Sequence, residues 1–153
     1  METKTSEKKV IKQTTEKLLK LLQVEGSFDI IENEEGAEII LTTKDTGIVI
    51  GYHGETLEAL SLILSLCISK KIGRFIRISM EVGDYKKDRT EFLKSLALET
   101  KDRVLRENRE IMLPSLKSWE RRIVHLFLQE DEEVLSESIG EGRERTLVIK
   151  PRE

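Results

Sequence analysis

The chain has 153 residues, 36% of them charged and 38% hydrophobic, with a formal net charge of −3; that length suffices for one ordinary domain or two very small ones. Its single cysteine, Cys67, excludes a disulfide framework and a multi-cysteine zinc site, in keeping with a reducing cytosol. The polar stretch Met1 to Gln13 lacks the apolar run of a signal peptide, and the most apolar stretch, Leu57 to Ile68, is too short to cross a bilayer, so a cytoplasmic protein without membrane insertion is expected.

In chain order, apolar residues at helical spacing from Val10 to Val24 predict a helix, with Gly26 as its stop. Phe28 and Ile30, then Ala37, Ile39 and Leu41, alternate with polar residues around a turn at Glu32 to Gly36, which predicts a hairpin. The glycine-punctuated run Gly47 to Gly54 leads into a helix from Glu55 to about Lys71, closed by Gly73, and Ile76 to Val82 alternates as a third strand. Asp84 is an N-cap for a long helix reaching about Met112, before Pro114. A shorter helix over Ser118 to Gln129 follows, then strands Val134 to Ile139 and Glu144 to Lys150, joined by Gly140-Glu141-Gly142. The order predicts an α+β protein of two small modules joined by the long helix, with residues 1–24 as a tail and helix belonging to the first, 25–84 as its body, and 85–153 as the second.

The signs of charge are segregated along this order. Glu25 to Glu38 contains six acids and no base, and Glu130 to Gly142 again six acids and no base. Ile68 to Ser79 contains Lys70, Lys71, Arg74 and Arg77 and no acid, and Tyr85 to Gln129 has eleven Lys or Arg against seven Asp or Glu. A nucleic-acid partner needs a local basic surface, not a basic average.

The most informative run of the first module is Val49-Ile50-Gly51-Tyr52-His53-Gly54-Glu55-Thr56-Leu57. Two glycines bracket two exposed positions ahead of a helix, so the backbone can approach a sugar-phosphate chain while the first helical amides favour an anion. No Lys-Ser or Lys-Thr follows the glycines, which excludes a P-loop. The loop, with Lys70, Lys71 and Arg74 at the exit of the next helix, resembles the Gly-x-x-Gly loop of a KH domain, and the element order resembles the bacterial KH fold, α-β-β-α-α-β. Such loops usually carry bases at their middle positions. Tyr52 and His53 stand there instead: Tyr52 is suited to stacking on a base, His53 to strengthening binding as pH falls through its titration range. In the helix that follows, Leu57, Leu60, Leu64 and Ile68 form a stripe for the sheet. Leu62, Ile63 and Leu66 leave a second apolar side, to be covered by the second module or by another subunit.

In the second module, helical periodicity puts Trp119, Ile123, Leu126 and Phe127 on one face and Arg121, Arg122, His125 and Gln129 on another. Arg121 and His125 are neighbours four residues apart, a guanidinium and an imidazole suited to a phosphate and a sugar, phosphate or base edge. This pair, with Leu113-Pro114 upstream, Ser136-Glu-Ser138, Gly140-Glu-Gly142 and the closing bases Arg143, Arg145 and Lys150, resembles the R-three-H domain, a binder of single-stranded nucleic acid with helices packed on a small antiparallel sheet.

A KH unit followed by an R-three-H domain resembles the bacterial Jag, or KhpB, family, here in a short form without that family's separate N-terminal domain. The resemblance implies an RNA-binding regulator or RNA chaperone linked to cell elongation and envelope synthesis, pairing with itself or with a small KH protein. The residues leave open single-stranded DNA as ligand, and a protein-contact scaffold whose KH loop has lost its bases. No carboxylate pair or nucleophile–base set is present, so no catalysis, cofactor or metal is expected.

Overall fold

In the computed structural model, which describes residues 2–113 and 115–152, the chain forms two compact units, Met1–Tyr85 and Lys86–Glu153. It is a mixed α+β structure with two three-stranded sheets.

The first unit runs α1 (Glu2–Leu21), β1 (Gly26–Glu32), β2 (Gly36–Thr43), α2 (Thr46–Ile50), a 3-10 turn over Tyr52–Gly54, α3 (Glu55–Ile72) and β3 (Arg77–Val82). β1 and β2 form the expected antiparallel hairpin, and β3 lies parallel to β2, giving the order β1-β2-β3. Alternation buries Ala37, Ile39, Leu41, Ile78, Met80 and Val82 on one face of this sheet. Against them pack Leu57, Leu60, Leu64 and Ile68 of α3, the stripe its periodicity predicts, and Ile11 and Leu19 of α1. Leu21 and Leu22, at the C-terminal end of this apolar run, are exposed. The helix stops at Leu21 and Gln23 adopts a positive φ of 56°, turning the chain so that Val24 goes in.

The serines that interrupt the apolar run of α3 seal a sheet edge. The amides of Met80, Ile78 and Ile76 donate to the hydroxyls of Ser61 (2.9 Å), Ser65 (2.8 Å) and Ser69 (2.9 Å). One serine per helical turn thus meets every second residue from Ile76 to Met80, along the edge of β3 opposite the one that pairs with β2. Each hydroxyl also donates to a carbonyl, that of Leu57, Ser61 or Ile76 among them, so helix and strand are joined by hydrogen bonds as well as by burial.

The second unit contains α4 (Tyr85–Glu107, all but its first residue), β4 (Ile111–Leu113), α5 (Ser118–Leu128), β5 (Val134–Ile139), a 3-10 turn over Gly142–Glu144 and β6 (Thr146–Pro151). Its antiparallel sheet has the order β4-β6-β5, with Leu93, Ala97 and Val104 of α4 and Val124 and Leu128 of α5 in the same core as Ile111, Leu113, Val134, Leu147 and Ile149. The long helix ends five residues before Met112: Asn108 takes the left-handed conformation (φ 46°), which a short polar side chain tolerates, and Ile111–Leu113 becomes a strand on β6. Pro114, singled out beside it, lies outside the described residues. Asp131 shapes the chain before β5 by accepting from the amides of Glu133 and Val134, and its carboxylate also receives the Lys101 ammonium at 2.7 Å. That hydrogen bond holds the Asp131 carboxyl below its ordinary range, and the bonds Lys101 donates to Asp131 and Glu133 raise the lysine well above its own.

Helix α5 buries a different face from the one periodicity predicts. Its buried stripe is Glu120, Val124 and Leu128, flanked by half-buried Trp119 and Ile123, whereas Leu126 (54%) and Phe127 (40%) remain exposed. A carboxylate in a core is costly unless paired. Glu120, fully buried, accepts from Arg89 Nε of α4 at 2.7 Å and from the Lys117 amide at 2.8 Å, which ties off the helix N-terminus.

Candidate nucleic-acid interface

The first unit presents the loop Gly51-Tyr52-His53-Gly54 between α2 and α3, and its backbone explains its composition. Gly51 and Gly54 have φ of 68° and 80°. A Cβ on Gly51 would run into the Thr56 side chain, and one on Gly54 would sit 2.9 Å from the Tyr85 hydroxyl. Both positions therefore demand glycine on two grounds, conformation and space. His53 also has a positive φ, 49°, which turns its ring back over Tyr52. The two rings stack with centroids 4.0 Å apart and planes inclined by 19°, and Tyr52 is 72% exposed. The loop therefore offers an aromatic surface where a pair of bases would offer charge.

The cations at the exit of α3 are partly spent within the unit. Lys71 Nζ donates to Thr14 Oγ1 of α1 at 2.9 Å. Arg74 forks onto Glu7 of the same helix, Nη2 at 2.7 Å and Nε at 3.2 Å. Lys70 is exposed with no such partner among the described residues. Two of the three thus fasten α1, and one stands open.

In the second unit the motif pair is anchored at both ends. Arg121 Nη1 donates to the Leu116 carbonyl at 2.7 Å and to the Arg145 carbonyl at 3.3 Å, and its Nη2 donates to Ser118 Oγ at 3.1 Å. One turn on, exposed His125 holds buried Ser136 of β5 through Nδ1, 2.8 Å from Oγ. The side chains of Arg122, Arg143 and Arg145 are exposed and form no ion pair among the described residues. Lys150 pairs with Glu137 at 2.8 Å, which lowers the Glu137 carboxyl below its usual range. Sequence reasoning named all these cations but could not separate the engaged from the open. It also missed Ser118 and the backbone carbonyls as holders of Arg121.

Among the described residues no group of three His, Cys, Asp or Glu could hold a metal ion, and no helix is long and apolar enough to cross a membrane. Comparison with known families matches residues 8–80 to the KhpA/KhpB KH domain and residues 91–151 to the R-three-H domain. Over 128 residues the chain is 34% identical to the RNA-binding protein KhpB of Clostridium symbiosum, a match covering 84% of this chain and 58% of that protein. It is 29% identical over 130 residues to the RNA-binding protein KhpB of Bacillus subtilis (strain 168), covering 82% of this chain and 62% of the relative. For the protein of that name from Streptococcus pneumoniae (strain ATCC BAA-255 / R6) the identity is 29% over 128 residues, with 84% and 39% covered. The chain thus spans about half the length of the curated relatives it matches.

Proposed function

The chain belongs to the KhpB family, a KhpA/KhpB-type KH domain followed by an R-three-H domain, both binding domains and not enzymes, and on that premise we propose that it is a cytoplasmic binder of single-stranded nucleic acid, RNA before DNA. The observation that carries this reading is the set of open guanidinium groups on Arg122, Arg143 and Arg145, in the same unit as the Arg121–His125 pair. Exposed cations without internal partners are what a phosphodiester chain neutralises, with release of its own counterions. The KH unit contributes the Gly51–Gly54 loop, the aromatic face of Tyr52 and His53, and Lys70. Lys71, Arg74 and Lys150 add positive potential while already bonded within the protein. A role as regulator or chaperone of RNA, with the implied link to cell elongation and envelope synthesis, is the family's physiology extended to this chain.

The test is a salt series with a labelled single-stranded RNA of about 16 nucleotides, competed with DNA of the same sequence and with duplex RNA. We expect log-log plots of affinity against salt to be linear with a slope near −0.7 per phosphate contact, RNA to compete best and duplex worst. Binding that ignores salt, or duplex competing as well as single strand, would count against the proposal.

A specific observation also favours protein pairing through the KH unit. Leu62, Ile63 and Leu66 on α3 are 60%, 44% and 57% exposed, an uncovered apolar face on a helix whose other face is core. We assign that face to a second KH unit, in another copy of this chain or in a small KH protein.

A further inference from the structure

We propose that Arg121 is a positioning residue, and that the connection Gly140–Arg145 between β5 and β6 is the element that meets phosphate. This rests on the reading of the second unit as a nucleic-acid binder and deepens it.

A guanidinium has five N–H donors in a fixed plane. Three of those on Arg121 are spent on two backbone carbonyls and one hydroxyl: Leu116 and Ser118, which flank the start of α5, and Arg145, which precedes β6. The side chain thus ties the start of the helix to the end of the hairpin connection. His125 ties the same helix to β5 through Ser136. The motif pair, four residues apart on α5, therefore holds both sides of the β5–β6 hairpin: Arg121 at Arg145, next to the start of β6, and His125 at Ser136 within β5.

What it holds has the makings of a phosphate contact. Gly140 and Gly142 have φ of 83° and 56°, and a Cβ on Gly142 would meet open space, so its conformation, not crowding, selects glycine there. The 3-10 turn Gly142–Glu144 then projects Arg143 and Arg145, both exposed and unpaired among the described residues. An arginine already bonded to carbonyls gains less from a phosphate than one bonded only to water, because fewer of its donors are left to form a bidentate pair. The carbonyl bond from Arg121 fixes the backbone of Arg145, so the hold passes directly to one of the two open cations.

The inference is tested in the full chain by fluorescence anisotropy with a single-stranded RNA probe over a salt series, together with thermal melting of each variant. The Arg143→Gln/Arg145→Gln double variant is expected to melt like the parent and to flatten the salt slope by about 1.4, the value for two single-strand contacts. Arg121→Gln keeps a side-chain donor for the carbonyls without the charge, and is expected to keep the parent's slope within about 0.3, under half of one contact. Arg121→Ala, which removes the tie, is expected to lose slope like the double variant; because it can also unfold the unit, Arg121→Gln carries the decision. A loss of about 0.7 in slope for a folded Arg121→Gln, or an unchanged slope for the double variant, overturns the inference. Failure of the parent itself to bind single strands would instead remove the functional reading on which this one stands.

Discussion

Tyr52 shows how far a single position can change the chemistry of a loop. A base–aromatic stack contributes about 1–3 kcal/mol and carries no counterion dependence, whereas a lysine there would add to the salt slope. Replacing Tyr52 with Ala is therefore expected to weaken RNA binding at least about fivefold with the salt slope unchanged, and Tyr52→Phe to bind like the parent; titrations at two salt concentrations decide it. Residue types at these positions were legible in the sequence, as were Arg121, Arg122 and His125. Their state was not. That Arg74 is bound to Glu7, 67 residues away, or that Arg121 is spent on carbonyls, depends on which atoms folding brings within hydrogen-bond reach, and no local spacing encodes it.

Elements with a clear buried period were legible for the same physical reason: β2 and β3 turn every second residue to the core, and α3 turns the stripe Leu57, Leu60, Leu64 and Ile68. β4 was not, since three apolar residues after a helix carry no period of their own and become a strand only by pairing with β6. The buried face of α5 was misplaced because a glutamate was counted as polar, when its partner sits on another helix. Breaking that pair has a defined consequence. Glu120→Ala leaves Arg89, 11% exposed, without its carboxylate, and a buried pair broken from one side costs about 3–5 kcal/mol. The loss is expected in urea titrations followed by Trp119, the chain's single tryptophan and a reporter of the second unit.

At the scale of the whole molecule, titration bears on the second unit through three carboxyls. Glu107 beside Arg109, Asp131 beside Lys101 and Glu137 beside Lys150 are all held below their ordinary range by hydrogen bonds from cations. A carboxyl lowered on folding stabilises the folded state fully above its unfolded value, about 4, and loses that contribution as pH falls through the lowered one. The Trp119 melting temperature is thus expected to hold between about pH 7 and 5 and to drop progressively below about pH 4; a midpoint rising on acidification would contradict the pairings. The serine ladder along β3 has a consequence of another kind. With Ser61, Ser65 and Ser69 closing that margin, the first sheet has only β1 left to recruit a foreign strand, and β1 and the residue before it bear Glu25, Asp29 and Glu32 with no cation. Two such margins repel one another, so copies of this chain brought to high concentration are steered away from edge-to-edge, fibril-like strand stacking.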